Sequence, residues 1–314
     1  MSPAPKKVLA LAGGVGGAKL ALGLARVLPP ERLTVVVNTG DDDTFHGLHV
    51  CPDLDTVMYT LAGLADPERG WGIAGDTFWT LEALGRYGAP TWFKLGDLDL
   101  ATHIRRTELL RQEWALSQIT QELCRRLGVK QRVAPMTDQP VRTVVVTEER
   151  EMAFQEYFVR RGSQPRIRGV RFEGAPQAAP SPQFREALAG AEAVVFCPSN
   201  PVVSIGPILA VGGVRKAIAT FRGPRLAVSP IVGGQALRGP AARMLAELGE
   251  EASCVGVARR YAGLCDVMVI DETDRHQAQR IRELGMDVAV ANTVMRTDED
   301  KEALARLVCE LAGL

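Results

Sequence analysis

Short, wholly apolar runs alternate with longer amphipathic segments along most of this chain, which predicts strands joined by helices. Val8-Leu9-Ala10-Leu11-Ala12 carries no polar residue, as a strand buried on both faces requires. Gly13-Gly14-Val15-Gly16-Gly17 breaks that run, Ala18 to Leu28 has helical composition, and Pro29-Pro30 stops it. The β-branched run Leu33-Thr34-Val35-Val36-Val37-Asn38 is the next strand. Farther along, the same rhythm predicts strands at 193–196, 225–229, 266–270 and 287–290. Helices are expected between and after them at 214–220, 240–248 and 298–311, the second with Pro240 in its first turn. Such alternation implies right-handed crossovers and an α/β fold with a doubly wound, mostly parallel sheet.

The middle of the chain departs from this rhythm. Residues 53–129 read as mainly helical, with 80–84 and 117–127 as clear segments. Residues 141–172 predict an antiparallel β-hairpin, its arms at Thr143–Thr147 and Met152–Val159 around Glu148-Glu149-Arg150. The division expected is a nucleotide-binding core of 1–52 and 186–314, and a largely helical insertion, 53–185, forming the acceptor site or a lid.

Composition narrows the function classes. With 37 basic and 37 acidic side chains in 314 residues, no charge excess draws the chain to nucleic acid. Its six cysteines include no C-x-x-C pair, which excludes a disulfide framework and zinc-finger spacing and favours a reduced, cytoplasmic setting. The apolar stretch after the N-terminal Met1–Lys7 is five residues, Val8 to Ala12, short of the ~7–15 of a leader. No window approaches the ~20 apolar residues of a membrane span, so no membrane partner is expected.

Candidate chemistry gathers after the predicted strands, where doubly wound sheets bind ligands. The loop 13–17 has neither the dinucleotide nor the P-loop spacing, although Lys19 lies nearby. It reads as a phosphate cradle at a helix N-terminus or as a tight strand-to-helix turn. Asp41, Asp42 and Asp43 follow the second strand, with Asp53 and Asp55 a little farther on. Carboxylates beside a phosphate loop suit Mg2+; taken singly, each is equally a cap or a solvated turn residue. In Lys94-Leu95-Gly96-Asp97-Leu98-Asp99, either aspartate is also a cap for the following helix, and His103 is either a catalyst or a structural hydrogen-bonder. Trp71 and Trp79 suit the wall of a flat-ring pocket or simple core packing. Ser199, Asn200 and Ser229 lie in Pro- and Gly-rich loops and offer bonds to phosphate or base, or serve the turns themselves. Cys197 precedes proline with no base beside it and is excluded as a nucleophile.

Taken together, Gly-Gly-Val-Gly-Gly-Ala-Lys at 13–19, Cys-Pro-Asp-Leu-Asp-Thr-Val-Met-Tyr-Thr-Leu at 51–61 and Lys-Leu-Gly-Asp-Leu-Asp-Leu-Ala-Thr-His at 94–103 resemble the 2-phospho-L-lactate transferase family. Pro-Ser-Asn-Pro-Val-Val-Ser-Ile-Gly-Pro-Ile at 198–208 and Val-Ser-Pro-Ile at 228–231 extend the resemblance along the whole chain in the same order. The loop 13–17 and Asp41-Asp42 are similar to the bacterial branch, which transfers a phosphoenolpyruvyl group; the archaeal loop typically reads Gly-Gly-Thr-Gly-Thr. The resemblance implies a Rossmann-like fold, a homodimer, a Mg2+ requirement and a step in coenzyme F-420 biosynthesis. A phospholactyl or phosphoenolpyruvyl group passes from a guanosine-diphosphate-activated donor to the deazaflavin alcohol Fo, and GMP leaves. It also implies acceptor contacts at Asp55 and Lys94. On this reading Asp41, Asp55 and Lys94 are catalytic, Asp41 and Asp55 hold Mg2+, and Gly13, Gly14, Gly16, Gly17, Ser199, Asn200 and Ser229 bind substrate. Two rivals are a non-catalytic nucleotide-sugar-binding regulator with the same core and an NAD(P)-dependent oxidoreductase. The second lacks the G-x-G-x-x-G spacing and has Asn38, not an acid, at the end of its second strand.

Overall fold

The computed structural model describes residues 7–314. Residues 1–6, on which part of the leader expectation rests, lie outside the described residues. Apolar, β-branched runs make the strands β1 (Val8–Ala12), β2 (Leu33–Val37), β3 (Asp43–Phe45), β4 (Leu48–Val50), β5 (Arg132–Pro135), β6 (Arg142–Thr147) and β7 (Glu151–Ala153). They continue with β8 (Ile167–Glu173), β9 (Ala193–Phe196), β10 (Arg225–Val228), β11 (Ile231–Val232), β12 (Gln235–Ala236), β13 (Val267–Asp271) and β14 (Asp287–Ala291).

Seven of them form the central sheet in the order β14-β13-β10-β9-β1-β2-β5, and every neighbouring pair is parallel. The order starts at β1 in the middle and winds outward both ways, so helices cover both faces: the fold is the expected doubly wound α/β sheet. Alternate residues of one strand feed different cores. Leu9 and Leu11 join the core against 141–288, whereas Val8, Ala10 and Ala12 join the one beneath α1 (Gly14–Val27), α2 (Pro52–Leu61) and the C-terminal helix Asp298–Leu311. No described helix is long and apolar enough to cross a membrane.

The insertion is less separate than its sequence suggests. β5 falls inside 53–185 yet supplies the edge strand beside β2, and α2 packs along α1. Four residues bonded to a single neighbour leave little periodicity to read. The helices α3 (Trp79–Arg86), α4 (Asp97–Arg111) and α5 (Leu116–Arg126) do lie outside the sheet. The hairpin differs too. Its return arm is only β7, because 156–160 winds into a wide helical turn that buries Tyr157; β8 then pairs along the other edge of β6. Capping between the inserted helices is reciprocal. Asp97 accepts from the N–H groups of Trp79 (3.0 Å) and Thr80 (3.0 Å), capping α3 rather than its own helix. Asp76 caps α4 through the N–H groups of Leu98 (2.8 Å) and Asp99 (3.0 Å).

Candidate active site

A cavity of about 820 Å³ opens at the carboxyl ends of β1, β2, β9 and β10. One wall is the first turn of α1. Gly14 sits at φ 62°, a left-handed conformation glycine adopts without strain. The Gly13 N–H donates to Ser199 Oγ (3.0 Å) and the Gly14 N–H to Asp53 Oδ1 (2.8 Å). A side chain at Gly16 would strike the Pro198 carbonyl, and one at Gly17 would strike Ser199 Oγ. The glycine run therefore serves close packing of the β9 loop as well as ligand approach. In a helix that starts at Gly14, the N–H groups of Val15 and Gly16 have no intrahelical acceptor, and both residues line the cavity.

The acidic groups divide by what faces them. Asp41 is buried at the cavity and its Oδ1 has no hydrogen-bond partner among the described residues. Burial, then the neighbouring charge of Asp53, pushes its carboxyl well above the usual range. Asp53 is raised to about 6, mainly by burial, although Asn38 and the Gly14 N–H favour its charged form. Asn38 organises this corner: its Nδ2 donates to Asp53 Oδ2 (2.9 Å) and its Oδ1 accepts from Gly40 N (2.8 Å). Asp43, at the start of β3, does not line the large cavity but a smaller one of about 250 Å³, with Arg142 and Glu151, which shares Asp41, Phe154 and Gln155 with it.

Asp55 sits differently from the metal ligand expected of it. Arg106 Nη1 donates to its Oδ2 (3.0 Å), and Nη2 pairs with its Oδ1, so the guanidinium takes both oxygens. Arg106 is 1% exposed and stays charged, because Asp55 and its neighbours outweigh burial. His103 Nδ1 lies 3.6 Å from Asp55 Oδ2 and 3.3 Å from Arg106 Nη1. A guanidinium can only donate, so Nδ1 is the acceptor of that pair; Nε2 makes no hydrogen bond with a described residue, though it lies 3.2 Å from Asp99 Oδ1. That same oxygen accepts from Tyr59 OH (2.7 Å). Burial raises the Asp99 carboxyl, but His103 and Tyr59 outweigh it and the net direction is down. His103 is thus a buried hydrogen-bonder. The structure brings Asp41 beside Asp53, while Asp55 is held by α4.

Lys94 is exposed at the cavity and makes no ion pair with a described residue. The hydroxyl of Ser199 holds the glycine turn. Asn200 Oδ1 accepts from Val202 N (2.9 Å), and Ser229 Oγ bonds Ile231 N (3.1 Å) and O (3.0 Å), so both mainly shape their own loops. All three residues line the cavity. Trp71, 39% exposed, also lines it; Trp79, 70% exposed, does not. Lys19 Nζ donates to Met295 O (2.8 Å) at the cavity's edge. Cys197 is fully buried with its thiol pushed up to about 12, in keeping with its exclusion as a nucleophile. Asn38, Tyr59 and Arg106 escape the sequence reading, though Asp99, His103 and Arg106 fall at the three- and four-residue steps that share a helix face.

The family model for 2-phospho-L-lactate transferase CofD matches residues 8–311. The chain belongs to that family. It is 46% identical over 314 residues to a phosphoenolpyruvate transferase of Streptomyces avermitilis, covering 98% of each chain. A phosphoenolpyruvate transferase of Streptomyces coelicolor is 45% identical over 313 residues, again covering 98% of each. The one from Mycobacterium tuberculosis strain H37Ra is 40% identical over 328 residues, covering 98% of this chain and 99% of its own. Among solved structures, a UPF0052-family protein from Bacillus halodurans superposes with TM-score 0.64 at 15% identity, covering 97% of this chain and 99% of that one; the likeness is one of fold. The resemblance read from the motifs and the Rossmann-like α/β fold therefore both hold, and the family is one of transferases.

Proposed function

We propose that the chain transfers a phosphoenolpyruvyl or phospholactyl group from a guanosine-diphosphate-activated donor to the ribityl hydroxyl of Fo, releasing GMP, in coenzyme F-420 biosynthesis. The observation that carries this reading is the continuity of one cavity of about 820 Å³ from the α1 N-terminus to Lys94 and Trp71. That volume is near the upper end for ligand pockets and suits two substrates meeting end to end.

The donor diphosphate belongs against the first-turn amides of Val15 and Gly16, where the helix N-terminus favours negative charge. Lys19, at the same edge, faces the same charge. A hard cation fits Asp41, whose buried Oδ1 lacks a partner and whose carboxyl is crowded by Asp53. Mg2+ is therefore assigned to Asp41 with Asp53, in place of the expected Asp41 with Asp55. An ion held there would supply charge neutralisation at the diphosphate.

The acceptor belongs on the opposite side. Asp55, clamped in one orientation by Arg106, accepts a hydrogen bond from it, and Lys94 reaches it from the rim. The attacking hydroxyl gives up its proton to solvent as it forms a bond to the phosphorus bearing the three-carbon acid, and the bond to the GMP oxygen breaks. Positioning and charge neutralisation supply most of such a rate. Incubation of purified protein with Fo, Mg2+ and each activated donor, followed by mass spectrometry, tests the reading. A phosphodiester-linked Fo product with GMP is expected, and the better donor identifies the acid. A folded protein that makes no product but binds a UDP-sugar is instead a nucleotide-sugar-binding regulator.

A further inference from the structure

Next to Asp41, at the base of a small hairpin, three metal-ligating side chains converge. β3 and β4 pair antiparallel with Asp43 opposite Val50 and Thr44 opposite His49, so one rung farther Asp42 lies opposite Cys51. Residues two apart on a strand share a face, which puts His49 on the same side as Cys51 and diagonal to Asp42. Their ligand atoms all lie within 4.8 Å of one another. Asp42 Oδ2 and His49 Nε2 are 3.5 Å apart, close to the edge of about 3.4 Å in a tetrahedron built on zinc–nitrogen and zinc–oxygen bonds.

The surroundings favour a ligand here. The Asp42 side chain is 8% exposed, and its Oδ1 is buried with no hydrogen-bond partner among the described residues. Cys51 is fully buried, while His49, with 31% of its side chain exposed, gives access from solvent. The hairpin is held against α4, where Thr107 Oγ1 accepts from His49 N (2.8 Å), so the ligands are in place before any ion arrives. A thiolate and an imidazole select a softer ion than the all-oxygen Asp41–Asp53 pair does.

We propose that Asp42, His49 and Cys51 form a second divalent-cation site, selective for a thiophilic ion of the Zn2+ class. Binding deprotonates the thiol and releases that proton to solvent, so affinity rises with pH. The site does not depend on the transferase reading.

Chelator-stripped full-length protein titrated with Co2+ alone tests this. The expected result is a near-ultraviolet thiolate-to-cobalt charge-transfer band that saturates at one equivalent, is abolished by Zn2+ and survives excess Mg2+. Cys51→Ser should lose the band. His49→Gln, at a half-exposed position with little packing to lose, should weaken or lose it at an unchanged melting temperature. Absence of the band in the unaltered protein overturns the site, as does a band that persists in Cys51→Ser. If Cys51→Ser does not fold, His49→Gln decides: an unchanged band at unchanged cobalt affinity also overturns it.

Discussion

Replacing Asp53 by asparagine is expected to flatten the pH dependence of stability above the ordinary carboxylate range. Burial raises Asp53 from its ordinary 3.8 to about 6 in the folded protein. Over that window the native state binds more protons than the unfolded state, so stability is gained as pH falls toward 3.8 and lost as it rises through 6. Moving from about pH 8 to about pH 5 adds roughly 1.4 kcal/mol from this group, a tenfold change in the folding constant. Asp41 and Asp42 are raised in the same direction and add to the slope. Carboxyls held low, such as Asp97 at about 2, are ionised in both states throughout that range and do not interfere. The variant loses the Asp53 contribution and relieves Asp41 of a neighbouring charge, so its slope falls by at least as much. Set against this, the introduced carboxamide must turn its NH2 donor toward either Asn38 Nδ2 or the Gly14 N–H, themselves donors, which lowers stability at every pH. Urea denaturation at both pH values, in chelator, measures the difference. A variant with the slope of the unaltered protein would refute a strained, buried Asp53.

Asp55→Asn is expected to abolish turnover, and because it strips Arg106 of its charged partner it also costs about 3–5 kcal/mol of stability. The double variant Asp55→Leu/Arg106→Met recovers most of that stability but no activity, as denaturation and the transfer assay will show. Gly16→Ala drives a methyl into the Pro198 carbonyl and lowers stability by about 1–3 kcal/mol in thermal melts. Lys94→Ala, at an exposed position, changes stability by less than about 0.5 kcal/mol. The same change raises the KM for the acceptor roughly tenfold or more in steady-state kinetics.

The rhythm of apolar runs was enough to place most elements. Val8–Ala12 and Asp298–Leu311 fall where the pattern puts them, and the helices near 117–127 and 240–248 shift by about a residue. Such runs are legible because burial on both faces, or on one helical stripe, constrains residue type position by position. β5 and the shortened return arm β7 escape that logic. Each is four residues or fewer; β5 is decided by pairing with β2, far away in sequence, and β7 is cut short where 156–160 turns helical.

The candidate site divides along the same line. The turn at 13–17, the acidic run at 41–43 and the polar loops after β9 and β10 were visible because a doubly wound sheet must put its ligand loops at strand carboxyl ends. Their partners were not. Whether Asp55 faces a cation or a guanidinium depends on Arg106, 51 residues away on a helix whose packing no local pattern specifies. Likewise the raised carboxyls of Asp41 and Asp53 follow from burial beneath Asn38 and the β9 loop. Sequence alone determined which chemical groups this chain has and at which ends of which strands they lie. Only the tertiary structure decided which charges meet, because Coulombic and desolvation energies depend on distances through space.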